Sequence, residues 1–491
     1  MECRGVVVMN FLENLLHWNF FLKATAFLFF LDWVSFLPIF KSLFAFEQGS
    51  TWKARPEALT ILAAGGWLVS IGLAGLGPEP LRALGWGTLW VIFRLLFIKR
   101  RWSSVRRGCG APGFMSHWAA LWIFLVEMAR LVDGTGWLVS QIFAALRLDF
   151  ALIMLCAGTY KAAVGFMRGN GMEFGRVNPI WGYHWSYFSK KSPTGLYPKM
   201  MNILAAGGEI AAGVLLLVPH PWIQMAGVLV VSLSFFYVSL FIRLGRLAWL
   251  MVLLPGFYIP GVMSSAQIST PYVQLSPQWL FLAAAPFWLF MALLPFLKFT
   301  QYYNLFANRM LPQPFQAFFV WAANFIPVIM WRVFTPDVIN FFLRISQVDD
   351  ARKTVLVDEV TTYSYKNWKN LWLKLRFLHV TESIANVSVF TTLKYFPSKS
   401  RLFEEKLVRY AKSVAAELSS SCRGLDFEYI SICKTQDKWE FRPVLRFFVD
   451  LTKGQVVRQV LDPEFNPAQP ALFSPVRESL QPGSFEPAHT Q

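Results

Sequence analysis

Long runs of apolar residues recur along the first two thirds of the chain. Each run approaches about 20 residues, the length that an α-helix needs to cross a bilayer. The third, fourth and last runs are short, so each of them could be tilted, re-entrant or merged with a neighbour. The pattern predicts an all-α polytopic membrane helix bundle of about nine or ten transmembrane helices. The runs lie near 15–38, 57–76, 82–98, 116–132, 137–160, 200–218, 222–242, 247–262, 278–297 and 315–331.

The pattern changes to that of a soluble domain after Arg344. Alternating apolar positions predict strands, and the stretch 400–418 has the spacing of an amphipathic helix. Lys453 and Gly454 form a hairpin signal between two strands. We therefore predict a multi-span domain over 1–345, a small α+β extramembrane domain over 346–462, and a disordered tail over 463–491 that is rich in Pro, Ser and Gln. The predicted strands are 354–365, 388–396, 425–432 and 444–450.

Composition supports the membrane assignment and removes several classes of function. Residues of the AVILMFWYC set make up 55% of the chain and charged residues only 15%, whereas soluble domains carry about 25% charged residues. The net charge of +17 is explained by basic loops that fix membrane topology, so we predict no nucleic-acid partner. The cysteines and histidines show none of the usual metal-ligand spacings, and we predict no metal site.

The basic residues fall in alternate connections between the runs. The connection 99–107 is the densest, and the connections of the same parity are also basic, whereas the others carry almost no charge. Because positively charged loops stay in the cytoplasm, we predict that these connections are cytoplasmic. With ten spans, the N-terminus and the α+β domain would then both be non-cytoplasmic. The membrane would be a bacterial inner membrane or the endoplasmic reticulum membrane.

Two ionisable residues inside apolar runs are candidates for chemistry, because a charge in the bilayer is costly. Glu209 lies among small residues that allow another helix to approach, so it either forms an interhelical bond or has a function. Lys161 ends its apolar run, so it either extends to the interface or acts as a base. Arg147, fourteen residues earlier, would lie on a similar face about 21 Å along the helix. Glu127 and Arg130 are three residues apart and predict a local ion pair.

The stretch 157–174, AGTYKAAVGFMRGNGMEF, resembles the vitamin K-dependent gamma-carboxylase and its wider family of horizontally transferred transmembrane (HTTM) domains. That family has Ala-Gly-x-x-Lys, then a glycine and Met-Glu-aromatic. The resemblance implies that Lys161 is the base that deprotonates a hydroquinone and that Glu209 is the family's acidic residue in the following helix. Gly245 matches a family glycine, and the stretch 330–334 is similar to the end of the family's last helix. An HTTM-like core would cover about 137–335.

The resemblance implies a membrane enzyme that uses a quinol or another lipophilic substrate, with a carboxylase-like lyase as the implied class of enzyme. Lys161 and Glu209 would be catalytic, and Arg147, Trp331 and Arg332 would contact the substrate. The cofactor is left open, with a vitamin K-like quinol implied by resemblance. A non-enzymatic maturation or secretion factor that binds a client protein through the α+β domain is the alternative, and a transporter is a third. Membrane lipids, a lipophilic quinone or small molecule, and a protein substrate or client are the expected partners.

Overall fold

The first part of the chain folds as a bundle of apolar helices. The computed structural model describes residues 17–37, 40, 56–99, 111–163, 165–168, 171–179, 181–242, 246–268, 271–307, 312, 314, 315, 318, 341–349, 353–357, 400–415, 422–435 and 438–462. The helices, in chain order, are α1 (Trp18–Phe36), α2 (Pro56–Leu76), α3 (Glu79–Phe93), α4 (Ala111–Val132), α5 (Trp137–Ala163), α6 (Met172–Val177), α7 (Trp185–Phe188), α8 (Leu196–Leu217), α9 (Pro221–Phe241), α10 (Arg246–Leu253), α11 (Pro260–Gln267) and α12 (Pro277–Ala307).

Six helices in the described part of the chain are long and apolar enough to cross a membrane. They are α2, α4, α5, α8, α9 and α12, and α10 with α11 gives a seventh if the bent pair is one span. These helices coincide with predicted runs, so the prediction of a multi-span helical bundle is confirmed. Within the described residues, two further predicted runs fold as helices outside these six: α1, and α3, which has 15 residues before it continues as the π-helical turn Arg94–Lys99. Most of the tenth run, 315–331, lies outside the described residues.

The eighth apolar run is broken at its centre. α10 passes into a 3-10 turn, Leu254–Tyr258, and α11 then starts at Pro260 at an angle of 68°. Proline lacks an N–H and disfavours a helical conformation in the residue before it, and Ile259 is accordingly extended. Irregular backbone inside a membrane is tolerated where protein surrounds it. The break is buried in this way, because Phe257 packs against Phe21 with ring centroids 4.6 Å apart.

The start of α5 is fixed by the turn that follows α4. The carboxylate of Asp133 accepts a hydrogen bond from the backbone N–H of Leu138 at 2.6 Å and another from that of Thr135 at 2.9 Å. Gly136 adopts a φ of 71°, and a Cβ there would lie 2.9 Å from the carbonyl oxygen of Gln267. The turn therefore requires glycine and holds α5, which carries Lys161, against the end of α11.

The C-terminal part of the chain forms an antiparallel sheet with one helix. The strands have the order β2-β1-β3-β4-β5. Leu407, Tyr410 and Ala411 are the buried residues of the helix, which packs on the sheet through Tyr410 and Phe427. Gly454 closes the β4–β5 hairpin at a φ of 65°, which confirms the predicted turn. The elements are β1 (Phe341–Asp349), β2 (Lys353–Val357), α13 (Ser400–Ala415), β3 (Cys422–Lys434), β4 (Trp439–Asp450) and β5 (Gln455–Val460).

The α+β prediction is therefore confirmed for the described residues, with a sheet that begins before the predicted boundary at 346. β1 was not predicted, and β5 was predicted only through the hairpin turn that precedes it. The predicted strand 388–396, most of 354–365 and the tail 463–491 lie outside the described residues.

Contacts between connections define the two ends of the bundle. At one end, the backbone N–H of Tyr272 donates to the carbonyl of Leu131 at 2.9 Å, which joins the α4–α5 turn to the segment after α11. At the other end, Gly182 forms a β-bridge with Ile242. This second end, formed by the connections 164–195 and 242–246, is called the basic end below. Both of its connections were among those predicted to be cytoplasmic.

The sheet packs against the basic end. The rings of Phe174 and Trp439 lie 5.2 Å apart, those of Trp185 and Phe441 6.3 Å apart, and the ammonium of Lys434 is 3.7 Å from the carboxylate of Glu173. The sequence predicted that the sheet and the basic connections lie on opposite sides of the membrane, whereas in the described residues the sheet contacts one of these connections.

Candidate functional site

Lys161 and Glu209 form a buried ion pair between α5 and α8. The ammonium nitrogen of Lys161 lies 2.5 Å from Oε1 of Glu209, and the two residues are only 5% and 7% exposed. The expectation that another helix satisfies Glu209 is confirmed. Lys161 does not extend to an interface, although a lysine at the end of an apolar run often does so. The structure therefore brings the two predicted catalytic residues together, although they are 48 positions apart in sequence.

The close approach of α5 to α8 makes this pair possible. A Cβ at Gly158, one turn before Lys161, would lie 2.6 Å from the carbonyl oxygen of Ala206 and 2.7 Å from the backbone nitrogen of Ile210. A Cβ at Gly213 would lie 2.5 Å from the backbone nitrogen of Leu155. Small residues on both helices thus let the backbones pack closely, as is common in membrane bundles. The side chain of Glu209 can then reach Lys161 directly.

One carboxylate oxygen of Glu209 has no protein partner among the described residues. Oε2 is buried and accepts no hydrogen bond, while Oε1 is occupied by Lys161. A buried carboxylate oxygen without a partner is costly, so it is a natural place for a ligand hydroxyl or a water. On the other side of the pair, the ammonium of Lys161 lies 5.6 Å from the ring centre of Phe166, which is fully buried.

A second polar layer lies between the ion pair and the sheet. Asn202 precedes Glu209 by two turns on the buried face of α8, which places it about 10 Å nearer the start of that helix. Its side-chain amide donates to Oε2 of Glu173 at 2.7 Å, and its carbonyl accepts from the N–H of Met172 at 2.7 Å. Glu173 also faces Lys434 of β3. The sequence analysis noted Glu173 only as part of the Met-Glu-aromatic stretch and did not identify Asn202.

Arg147 does not join this site. It lies on α5 about 21 Å from Lys161, with its guanidinium carbon 5.7 Å from the ring centre of Tyr258, whose hydroxyl donates to the backbone carbonyl of Arg147. Trp331, Arg332 and Gly245 were also predicted from the resemblance, and they lie outside the described residues. Their proposed contacts with a substrate stay predictions.

A second buried ion pair was missed by the sequence analysis. Asp149 of α5 lies 3.8 Å from the ammonium of Lys298 of α12, and its other oxygen accepts a hydrogen bond from the indole of Trp118 at 2.8 Å. Both charged residues are buried. The signal was present in the sequence, since both fall in or beside apolar runs, but their positions are far apart. This pair joins α4, α5 and α12 and supports α5 behind the Lys161 site.

A third charged cluster lies at the end opposite to the basic end. Arg130 is 3.4 Å from Glu127, which confirms the predicted local pair. The cluster is larger than predicted, because Arg82 lies 3.0 Å from Glu127 and Arg130 lies 2.8 Å from Glu79. Arg130 also donates to the backbone carbonyl of Ala266 at 2.6 Å. Every charge has a partner, so this cluster is sufficiently explained as a tie between helices.

The described ranges contain no group of three or more His, Cys, Asp or Glu residues able to hold a metal ion. The fold and the charged pairs define a multi-span helical membrane protein with a lysine–glutamate pair buried between two of its helices. Comparison of the chain with protein-family models, with characterised proteins and with solved structures finds no match.

Proposed function

We propose that the protein is a membrane enzyme in which Lys161, with Glu209 as its proton partner, acts as a general base on a lipophilic substrate that carries an acidic hydroxyl. The observation that carries this proposal is the 2.5 Å contact between the two buried groups, together with the unpartnered Oε2 of Glu209. The resemblance to the gamma-carboxylase and HTTM family supports a quinol as the substrate class.

The chemistry follows from the low dielectric of the site. Transfer of one ammonium proton from Lys161 to Glu209 converts two buried charges into a neutral amine and a neutral carboxyl, which removes the cost of burying the ions. The amine of Lys161 then accepts the hydroxyl proton of the substrate and becomes an ammonium again. The substrate is left as an oxyanion beside that ammonium, and the first proton stays on Glu209 until the site is reset. Opposite charges attract strongly in such surroundings, so the oxyanion is stabilised where it forms.

The surroundings favour a substrate that enters from the bilayer. Phe166 covers Lys161 on one side, and the layer of Glu173 and Asn202 separates the ion pair from the sheet. In contrast, the outward face of α8 is apolar and exposed at Ile203 and Leu204, as expected for a surface in contact with lipid. A hydroquinone with a long apolar chain matches this arrangement.

The proposal is tested by native mass spectrometry of the purified protein with a long-chain hydroquinone. We expect the protein to retain the hydroquinone more strongly than its dimethyl ether, which has the same shape and chain but no hydroxyl proton. Lys161→Met should abolish this preference, because the base is lost. Lys298→Met removes the other buried lysine and is the matched control, which should keep the preference. Equal retention of the two compounds by the wild-type protein would contradict the proposal.

We also infer that the basic end and the sheet both face the cytoplasm. The inference combines the retention of basic connections in the cytoplasm with the contacts of Phe174 and Glu173 with the sheet. Single cysteines at Ser192 and Lys453 should therefore react with an impermeant maleimide from the cytoplasmic side only. A cysteine at Val273, at the opposite end, should react from the other side only. Labelling of the Ser192 and Lys453 positions from different sides would contradict the arrangement.

The alternative function, binding of a partner protein by the sheet, is favoured by one observation. β5 is one of the two edge strands of the described sheet, and its Val457 and Val460 are 58% and 50% exposed. An exposed apolar edge can pair with an extended segment of another chain. If this is the function, replacing both valines with lysine should abolish partner binding, whereas Lys161→Met should leave it unchanged.

A further inference from the structure

Arg176 of α6 is enclosed by aromatic rings at the basic end. Its guanidinium carbon lies 3.5 Å from the ring centre of Phe188, 4.7 Å from that of Tyr197 and 5.4 Å from that of Phe241. The residue is only 3% exposed. Stacking of this kind covers the faces of the guanidinium plane and stabilises the cation. Hydrogen-bond acceptors can then approach only along the edges of the plane.

No acceptor occupies one of these edges in the described structure. Nε and one terminal nitrogen, Nη2, are buried and have no hydrogen-bond partner. The neighbouring carboxylate of Glu173 is engaged by Asn202, by the N–H of Gly171 and by Lys434. Burial lowers the pKa of the Arg176 guanidinium from its ordinary value, although arginine remains charged in proteins. Burying a cation whose N–H groups donate no hydrogen bond is costly, and a bound anion would remove that cost.

The chain around Arg176 carries several positive charges, and the nearby acid, Glu173, is already paired. Between Glu173 and Glu209 the sequence contains no Asp or Glu, and besides Arg176 it has three lysines, all of which are exposed. The bridge between Gly182 and Ile242 brings the end of α9 beside this connection. An anion near Arg176 would therefore be attracted by several cations, while the one neighbouring carboxylate, Glu173, is held by Asn202 and Lys434. The three lysines are Lys190, Lys191 and Lys199.

A row of exposed apolar side chains, called the stripe below, runs along α8 from this site over the outward surface of the bundle. The first residue of α8, Leu196, is 74% exposed, and four further apolar or aromatic residues continue along the same outward surface of the helix. Tyr197 belongs both to this stripe and to the enclosure of Arg176. The site therefore combines a cation at the membrane boundary with a path for an acyl chain beside it. The other members of the stripe are Met200, Ile203 and Leu204.

We propose that Arg176, together with Lys190 and Lys191, forms a binding site for the phosphate of an anionic phospholipid whose acyl chain lies along the exposed stripe of α8. Nε and Nη2 would donate two parallel hydrogen bonds to phosphate oxygens, a geometry that arginine favours. Because both nitrogens are buried, the ring of Tyr197, which is partly exposed, must move aside as the phosphate enters. Free phosphate has the same oxyanion chemistry but gains nothing from the apolar stripe.

The test measures binding of dioctanoyl phosphatidylglycerol to the purified full-length protein in a non-ionic detergent. Arg176→Gln should weaken binding at least about tenfold, the factor expected for losing a hydrogen bond between charged groups. Lys190→Gln with Lys191→Gln should weaken it less, because exposed cations contribute mainly through screened attraction. Arg442→Gln is the matched control, since Arg442 is half-exposed on the sheet and paired with Glu440 at 2.6 Å; it should bind as the wild type does.

Inorganic phosphate distinguishes the two sources of the oxyanion. We expect it to compete with the lipid only at far higher concentration, because it cannot use the stripe on α8. Competition at equal concentration would overturn the assignment of a lipid. If Arg176→Gln does not yield a monodisperse protein, Arg176→Lys takes its place and should also weaken lipid binding, since lysine lacks the paired donors. Unchanged lipid affinity in the Arg176 variant that folds would overturn the site.

Discussion

Replacing Glu209 with leucine is expected to destabilise the protein by about 3–5 kcal/mol, because Lys161 would stay buried without its partner. Glu209→Gln should cost less, since the amide keeps a carbonyl that can accept a hydrogen bond from Lys161. The double variant Lys161→Met with Glu209→Leu should recover much of the loss, because an apolar pair of similar volume can replace a buried ion pair. Unfolding of the purified variants in detergent, by heat or by a denaturing surfactant, measures the series.

The double variant is the decisive member of this series. It separates the cost of an unpaired ammonium from the cost of changing the shape of the helix contact. If Glu209→Leu and Glu209→Gln were equally stable, the carboxylate would have to face water or lipid instead of Lys161. The buried 2.5 Å contact between α5 and α8 would then not describe the folded protein.

A methyl group added at Gly158 is expected to force α5 and α8 apart. The new Cβ would meet backbone atoms of Ala206 and Ile210 at 2.6 and 2.7 Å, and backbone cannot move aside as a flexible side chain can. Overpacking of this kind typically costs about 1–3 kcal/mol. Gly158→Ala should therefore lower stability, and it should also weaken hydroquinone binding because Lys161 lies one turn away.

Gly207→Ala is the matched control for that experiment. Gly207 lies on α8 within two residues of Glu209, and nothing lies within 4 Å of a Cβ placed there. Alanine is a better helix former than glycine, so this variant should be as stable as the wild type or more stable. Equal losses at Gly158 and Gly207 would show that the contact between the two helices is not the cause.

The sequence predicted the helices well because each one produces a continuous local signal. Runs of about 20 apolar residues need no knowledge of the fold to be recognised, and α5, α8 and α9 fall where they were predicted. The break between α10 and α11 was missed even though Pro255 and Pro260 mark it. Two prolines inside an apolar run are compatible with either a kinked span or a break, and the packing of Phe257 decides between them.

The candidate site was predictable in its members but not in its arrangement. The cost of a charge in a bilayer singled out Lys161 and Glu209 separately, and the small residues around Glu209 indicated a close helix neighbour. That the neighbour is α5 depends on the packing of Gly158 against Ala206, which no local pattern encodes. The pairing of Asp149 with Lys298 was missed for the same reason, since the two residues are 149 positions apart.

The side of the membrane on which the sheet lies could not be predicted, because it depends on the number of membrane crossings that precede it. The side assigned to everything after α12 changes if a single apolar run is wrongly taken as a span. The contact of Lys434 with Glu173 places the sheet at the basic end, whatever the number of membrane crossings. Charged loops thus predicted which connections share an end, but not where the chain goes after its last apolar run.

We infer that the Lys161–Glu209 pair accepts a proton from a lipophilic hydroxyl compound. The most direct measurement is the absorption spectrum of a long-chain nitrophenol bound to the purified protein, taken at a pH below the pKa of the free phenol. The bound phenol should show the phenolate band in the wild type and in Lys298→Met, and it should lose that band in Lys161→Met. A bound phenol that stays neutral in the wild type, or a phenolate band that persists in Lys161→Met, would contradict the claim.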